Sequence, residues 1–166
     1  MSHPRQRYDF KDKAADYASL AEELTALLAG ETDLIANAAN TSALLFDALP
    51  DLNWVGFYFL KAGELLVGPF QGKPACVRIA IGKGVCGAAA ARRETIVVAD
   101  VEQFPGHIAC DAASRSEIVI PLIANGALWG VLDIDSPLLA RFDASDRLGL
   151  ERLAAIFVAG SHAREH

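Results

Sequence analysis

The sequence predicts a single α+β domain, in which a largely antiparallel sheet carries an N-terminal helix pair and a C-terminal helix packed on one face. Apolar residues recur at helical spacing near both ends of the chain, and pairs of extended segments between them are joined by tight turns. A length of 166 residues suits one domain with a substantial core. Because hairpins make neighbouring strands antiparallel, the central sheet should be antiparallel.

Two helices are predicted near the start of the chain, after an N-terminal tail at residues 1–12. The first covers residues 13–29, and Thr32 is expected to cap the second, which ends near residue 49. The link between them is short, so the two helices should pack as an antiparallel pair. Residues 13–166 are then one domain.

The strands and the remaining helices follow from composition and turn signals. Strands are predicted over residues 54–60, 65–70, 76–81, 95–99, 117–124 and 128–134, a short helix over 85–91, and a closing helix from Phe142 onward. The Asn125-Gly126 turn is a strong hairpin signal. The polar connection over residues 100–116 is unusually long for a compact domain, which favours a functional role.

Composition and charge argue against nucleic-acid binding, secretion and membrane insertion. A net charge of -6 with dispersed Lys and Arg residues argues against nucleic acid. The first residues lack the apolar run of a signal peptide, and no stretch reaches the ~18 apolar residues of a membrane span. We therefore expect a cytoplasmic protein without membrane contact. In that reducing compartment three cysteines indicate either inert buried thiols or redox chemistry.

The segment Gly82–Gly87 matches the G-x-G-x-x-G pattern of dinucleotide-binding sites. It follows a predicted strand, and Asp100 ends the next strand at a suitable distance. The helix after it is too short to cross over a parallel sheet, and the chain offers hairpins instead of further βαβ units. A tight strand-to-helix turn is the better interpretation.

Several short motifs together carry a family resemblance. They are Asn53-Trp-Val-Gly-Phe-Tyr58, Gly68-Pro-Phe-Gln-Gly72, Cys76, Gly84-Val-Cys-Gly87, Phe104-Pro-Gly-His-Ile-Ala-Cys110, Ser116-Glu117-Ile-Val-Ile-Pro-Leu122 and Trp129-Gly-Val-Leu-Asp-Ile-Asp-Ser136. With cysteines spaced by ten and then twenty-four residues, the chain resembles the free methionine-(R)-sulfoxide reductases from about residue 10 onward. Those enzymes have a single GAF-type domain, so the resemblance implies that fold and a homodimer.

The three cysteines differ in their expected roles. Local electrostatics favour Cys86 as the nucleophile, because it lies near the start of a short helix with Lys83 nearby. The resemblance instead implies that Cys110, in the long connection, is the nucleophile and that Cys76 is the resolving thiol. Cys86 would then line the pocket or act as an accessory thiol. A small buried residue at a helix start is the plain alternative for Cys86.

Three carboxylates form a candidate substrate site. Asp133 and Asp135 are two residues apart in a strand and share a face, and Glu117 opens the strand that pairs with it. A solvated sheet face is the plain alternative. The resemblance implies that the three hold the ammonium of the substrate and hydrogen-bond its sulfoxide oxygen. Crowded carboxylates raise one another's pKa, so one of them can act as the acid, and the sequence does not say which.

Two aromatic residues complete the candidate pocket. Trp54 and Tyr58 are four apart in a strand and therefore share a face, and the resemblance implies that they surround the methyl-sulfinyl end of the substrate. The alternative is that they are core aromatics. His107 invites a zinc or base interpretation, but no other Cys/His pair has finger-like spacing, and we predict no metal.

The predicted reaction is the reduction of free methionine-(R)-sulfoxide by thiols, with no metal or organic cofactor. A thiolate attacks the sulfinyl sulfur while an acid polarises or protonates the sulfoxide oxygen. A second thiol then condenses with the resulting sulfenic acid. Thioredoxin or a similar dithiol then reopens the disulfide by exchange. The main alternative is a non-catalytic GAF domain that senses a small molecule, but a sensor does not need three cysteines at these positions.

Overall fold

Helices at the two ends of the chain enclose a run of strands. The structure, a computed structural model, describes residues 8–108 and 110–162. The elements are α1 (Lys13–Leu28), α2 (Leu34–Ala48), β1 (Trp54–Lys61), β2 (Glu64–Gly72), β3 (Arg78–Ala80), α3 (Gly84–Arg92), β4 (Ile96–Val98), β5 (Ser116–Ala124), β6 (Ala127–Ser136) and α4 (Ala144–Gly160). Most of the predicted N-terminal tail and the last four residues of the predicted domain lie outside the described residues, so those boundaries stay predictions.

The strands form one sheet in the order β3-β2-β1-β6-β5-β4, and neighbouring strands are antiparallel throughout. The predicted α+β class and the antiparallel sheet are confirmed. The segment Gly82–Gly87 leads from β3 into α3, a helix of nine residues that joins two edge strands of this antiparallel sheet. The βαβ crossover of a dinucleotide-binding fold is therefore not formed there.

One face of the sheet is covered by α1, α2 and α4, as the periodicity predicts. Apolar side chains from these helices and from alternate sheet positions form the larger core; its fully buried members include Leu20, Leu24, Leu45, Phe57, Leu132, Leu153 and Phe157. Asp33, not the expected Thr32, caps α2, because its side chain accepts a hydrogen bond from the backbone N–H of Ala36 at 2.9 Å. Within the described residues, no helix is long and apolar enough to cross a membrane.

The opposite face is covered by the short helix α3 and by the connection between β4 and β5. Sheet residues that alternate with the first core point to this side, among them Leu65, Val119 and Val131, and pack with Ala89 of α3. The connection contains only a 3-10 turn, Val101–Gln103. A three-turn helix covers less area than the three long ones, so this face has room for a pocket.

Two strand ends differ from the prediction. The third strand begins at Arg78, which leaves Cys76 in the extended segment before it instead of inside the strand. The last strand runs on to Ser136, because Ser116 and Asp135 find partners in the β5–β6 ladder. Asp135 therefore lies within a strand, and its side-chain direction is fixed by the sheet.

Candidate active site

Strand register brings the predicted site residues into line across three strands. Trp54 in β1 lies opposite Asp135 in β6, and Asp135 lies opposite Glu117 in β5. Residues opposite each other in an antiparallel ladder point to the same side. Asp133, two residues before Asp135, shares that side. Sequence alternation alone therefore places these four side chains under the connection that carries Cys110.

The three carboxylates are buried: Glu117 is 7% exposed, Asp133 5% and Asp135 9%. The solvated sheet face considered as an alternative is therefore wrong. Among the described residues none of them forms a salt bridge with Lys or Arg, and the Oδ1 atoms of Asp133 and Asp135 are buried without a hydrogen-bond partner. Buried unpartnered acceptors are costly, which is typical of a site that a cationic ligand completes.

Burial raises the pKa of all three carboxyl groups, because desolvation disfavours the charged form. For Glu117, the negative charges of Asp133 and Asp135 and its hydrogen bonds with them raise the pKa further. The same hydrogen bonds act in the opposite direction on Asp133 and Asp135 and lower their pKa values. The pKa values of both Glu117 and Asp135 lie well above the usual range, and only for Glu117 do the hydrogen bonds within the cluster raise the pKa.

Cys86 lies against this cluster at the start of α3 and is buried. Desolvation raises the pKa of its thiol well above the usual value, and the nearby Asp133 and Glu117 raise it further. The expectation that the helix terminus and Lys83 would activate this thiol is wrong. Desolvation and the two neighbouring carboxyl groups raise the pKa of this thiol more than the helix end lowers it, because a helix end contributes only about 0.3–1 kcal/mol.

Cys76 and Cys110 are joined in a disulfide, with their Cα atoms 5.6 Å apart. This is the pair that the resemblance implies. Both cysteines are half-buried, whereas Cys86 is a free thiol. The bond ties the connection after β4 to the segment before β3, at the edge of the pocket.

The two predicted aromatic residues wall the pocket and hold the segment that carries Cys76. The rings of Trp54 and Tyr58 stack with centroids 5.8 Å apart. The indole N–H of Trp54 donates to the carbonyl of Lys73 at 3.1 Å, and the Tyr58 hydroxyl donates to the carbonyl of Cys76 at 3.0 Å. Both side chains are almost fully buried. They are wall residues with polar contacts, not only core aromatics.

The side chains line an open-mouthed pocket. Its lining includes the predicted residues Trp54, Tyr58, Cys86, Cys110, Glu117, Asp133 and Asp135, together with Ile79, Lys83, His107, Ile108, Asp111 and Ser114. Of the predicted site residues, Cys76 is outside this lining but is attached to it through Cys110. The pocket therefore combines one apolar wall, one acidic floor and a redox-active rim.

Asn53 is a site residue that sequence reasoning missed. Its side-chain amide donates to Asp111 Oδ2 at 3.1 Å and to Ser114 Oγ at 2.9 Å. Its backbone N–H donates to the carbonyl of Asp135 at 3.0 Å. Asn53 thereby fastens the connection that carries Cys110 to the start of β1. Its place directly before Trp54 was the available signal, but an Asn before a strand is also common in turns.

Donor atoms of Cys86, Glu117 and Asp133 lie within 4.8 Å of one another, and these residue types can bind metals. A metal ion would need all three groups deprotonated, and burial raises the pKa of each of them, which opposes metal binding. The chemistry of the cluster accordingly favours holding a proton and accepting hydrogen bonds from a ligand.

Comparison with known proteins agrees with this geometry. The GAF domain family matches residues 21–159. Free methionine-R-sulfoxide reductase of Escherichia coli is 54% identical over 144 residues, which are 87% of this chain and 87% of that protein. Protein YtsP of Bacillus subtilis is 56% identical over 86% of this chain and 89% of its own length.

A solved structure gives the same result. The free methionine-R-sulfoxide reductase of Neisseria meningitidis, in complex with its substrate, superimposes with a TM-score of 0.90 and 46% sequence identity. The match covers 96% of this chain and 95% of that one. The similarity therefore extends over the whole domain.

Proposed function

The chain belongs to the GAF domain family and, within it, to the free methionine-R-sulfoxide reductases, and from this premise we propose how its own residues reduce free methionine-(R)-sulfoxide. The single observation that carries the proposal is the redox pair Cys76–Cys110 at the rim of a pocket with a buried acidic floor. A pure ligand sensor has no use for that pair beside that floor.

The substrate is held by charge at one end and by apolar contact at the other. The unpartnered Oδ1 atoms of Asp133 and Asp135 accept hydrogen bonds from the α-ammonium group. Trp54 and Tyr58 pack against the methyl-sulfinyl end. A methionine sulfoxide within a peptide lacks the free ammonium and does not fit this arrangement. The acidic floor therefore selects the free amino acid.

In the first step, the Cys110 thiolate attacks the sulfinyl sulfur. The S–O oxygen takes up a proton, the sulfur–oxygen bond to the substrate breaks, and the oxygen is transferred to Cys110. The products are methionine and a sulfenic acid on Cys110. The substrate sulfur is reduced by two electrons and the cysteine is oxidised by two.

We assign the proton for this step to Glu117. Burial, the charges of Asp133 and Asp135, and its hydrogen bonds with both raise its pKa, which favours the protonated form that an acid needs. The two aspartates are then free to bind the ammonium. The raised pKa of Glu117 supports this choice among the three carboxylates that the sequence left open.

In the second step, the Cys76 thiol condenses with the Cys110 sulfenic acid, which forms the disulfide and releases water. The Cys76–Cys110 bond of the structure corresponds to the enzyme after this step. Thioredoxin or a similar dithiol then returns both cysteines to thiols by exchange. The thiols carry all the electrons, so the cycle requires no cofactor. A cytoplasmic location and a homodimer belong to the same proposal.

The test is turnover of the purified protein with each epimer of free methionine sulfoxide, using dithiothreitol or thioredoxin as reductant. We expect methionine from the R epimer only. Cys110→Ser should abolish methionine formation. With thioredoxin as reductant, Cys76→Ser should release about one methionine per chain and then stop, because the Cys110 sulfenic acid has no Cys76 thiol with which to form the disulfide.

Two controls sharpen this experiment. Cys86→Ser should keep disulfide formation, because Cys86 takes no part in the exchange. N-acetylmethionine sulfoxide, which lacks the ammonium charge, should be a poor substrate. If the wild-type protein makes no methionine from either epimer, the reductase assignment fails and a ligand-sensing domain becomes the better account.

A further inference from the structure

The segment around Cys76 is exposed in a way that the core and the pocket do not require. Residues 71–83 are exposed apart from Ala75, Cys76 and Ile79. Val77, directly after the redox cysteine, is 58% exposed, and Ile81 and Ile108 are 37% and 39% exposed. Ile108 lies at the mouth of the pocket, two residues before Cys110 in the chain. Exposed apolar side chains therefore lie within five positions of the two disulfide cysteines along the chain.

The charge of this region is opposite to that of the whole chain. Between residues 65 and 93 there are five cationic residues, Lys73, Arg78, Lys83, Arg92 and Arg93, and no Asp or Glu, although the chain has a net charge of -6. Arg78 pairs with Glu64 at 2.7 Å. Lys73 and Lys83 form no salt bridge among the described residues. Both are exposed and lie on either side of Cys76 along the chain.

Building on the proposed function, we propose that residues 71–83 together with Ile108 are the docking surface for the recycling partner, a protein dithiol with an apolar contact area and an acidic rim. An external thiolate must attack the disulfide in every cycle, so the reductant covers the surface around the disulfide during that step. Exposed apolar residues supply contact area, and unpaired lysines supply electrostatic attraction.

The geometry also assigns the sulfur that is attacked. Cys110 lines the substrate pocket and is followed by the carboxylate of Asp111, whereas Cys76 is outside the pocket lining and lies in the segment that carries the exposed Lys73. The partner thiolate attacks Cys76 Sγ, forms a mixed disulfide and releases the Cys110 thiolate into the pocket. The second thiol of the partner then attacks the mixed disulfide and releases Cys76. The partner leaves as a disulfide, oxidised by two electrons.

The experiment compares two reductants on the same variants: bacterial thioredoxin with its reductase and NADPH, and dithiothreitol, which needs no docking surface. Val77→Asp and, separately, Lys73→Glu should raise the KM for thioredoxin about tenfold, which corresponds to about 1.4 kcal/mol of lost binding. Turnover with dithiothreitol should stay within about twofold of wild type, because neither side chain lines the pocket. Leu148→Asp, at an exposed position of α4, is the matched control and should change neither reaction.

A second measurement locates the mixed disulfide. Thioredoxin lacking its second cysteine should be captured on the oxidised protein, and peptide mass spectrometry should place it on Cys76. Capture on Cys110, or equal loss of both reactions in Val77→Asp, would overturn the proposal. A Val77→Asp protein that changes its oligomeric state would assign the surface to a second copy of the chain and also overturn it.

The outcomes separate this inference from the proposed function. If the wild-type protein makes methionine with dithiothreitol but not with thioredoxin, the reductase assignment stands and the docking inference fails. If it makes methionine with neither reductant, the proposed function itself fails.

Discussion

Asn53 Nδ2 lies 3.1 Å from Asp111 Oδ2, and Asp111 is the residue after Cys110. The amide of Asn53 also reaches Ser114, so one side chain anchors the part of the connection that follows the nucleophile. Because Asn53 directly precedes Trp54, the first residue of β1, the anchor links the position of Cys110 to the wall of the pocket.

Replacement of Asn53 by Ala should separate catalysis from stability. Loss of two hydrogen bonds costs about 1–3 kcal/mol of unfolding free energy. Disulfide formation should slow by at least about tenfold, since a misplacement of ~1 Å can cost ~100-fold in rate. Single-turnover experiments that follow methionine release and Cys76–Cys110 formation measure both steps. Ser114→Ala, which removes one of the two contacts, should give an intermediate rate. A lower melting temperature with unchanged rates would reduce Asn53 to a structural residue.

The buried carboxylates should make the protein less stable as the pH rises. The pKa of Glu117 is raised by burial and by Asp133 and Asp135, so the folded state binds its proton more tightly than the unfolded chain does. Its contribution to stability is complete below the unfolded pKa of about 4.3 and is lost as the pH rises towards the folded pKa. The melting temperature should therefore be higher near pH 5 than near pH 8.

Glu117→Gln should reverse part of that loss, because the amide resembles the protonated acid. We expect a gain in the free energy of unfolding at pH 8, where the buried carboxylate is disfavoured, and little gain at pH 5. The rate of methionine formation should fall by about 100-fold or more, as expected for loss of a general acid. Thermal unfolding at both pH values, with the exposed Glu22→Gln as control, checks the first expectation. Equal destabilisation at both pH values would contradict it.

Cys86 should be the least reactive thiol of the reduced protein. Its thiol is buried, and desolvation together with Asp133 and Glu117 keeps its pKa high. Alkylation proceeds through the thiolate, so at neutral pH iodoacetamide should label the half-buried Cys76 and Cys110 first. Timed labelling followed by peptide mass spectrometry gives the order. Faster labelling of Cys86 in the folded protein would contradict the burial argument.

Asp146 should be the most sensitive charged residue for stability. It is fully buried and accepts hydrogen bonds from Tyr17 at 2.7 Å, Lys13 at 2.6 Å and Arg141 at 3.2 Å. Asp146→Asn leaves the Arg141 charge buried without its partner, which should cost about 3–5 kcal/mol in urea unfolding. Glu151→Gln, which breaks an exposed pair with Arg147, should cost less than about 0.5 kcal/mol. Similar losses for the two variants would contradict this difference.

The sequence contains most of the fold because local signals agree with one another. Helical periodicity, the Asn125-Gly126 turn and strand alternation predict the layers and the common face of Asp133 and Asp135. They do not predict burial depth, since that depends on how much of a face α3 covers. For this reason the expectation that Cys86 is an activated thiol at the start of a helix was wrong: the structure buries it. The roles of Asn53 and Asp146 depend on contacts between residues 58 and 129 or more positions apart, which no local pattern contains.

The positions of Trp54 and Trp129 give the protein a spectroscopic reporter of its own redox state. They are the two tryptophans of the chain and lie on opposite faces of the sheet. The Trp54 indole N–H donates a hydrogen bond to the carbonyl of Lys73, three residues before Cys76. The indole also lines the same pocket as Cys110. Disulfides quench neighbouring indoles, so we expect emission from Trp54 to rise when the bond is reduced and emission from Trp129, on the other face of the sheet, to stay constant. Each catalytic cycle can thus be followed by light emission, without a label.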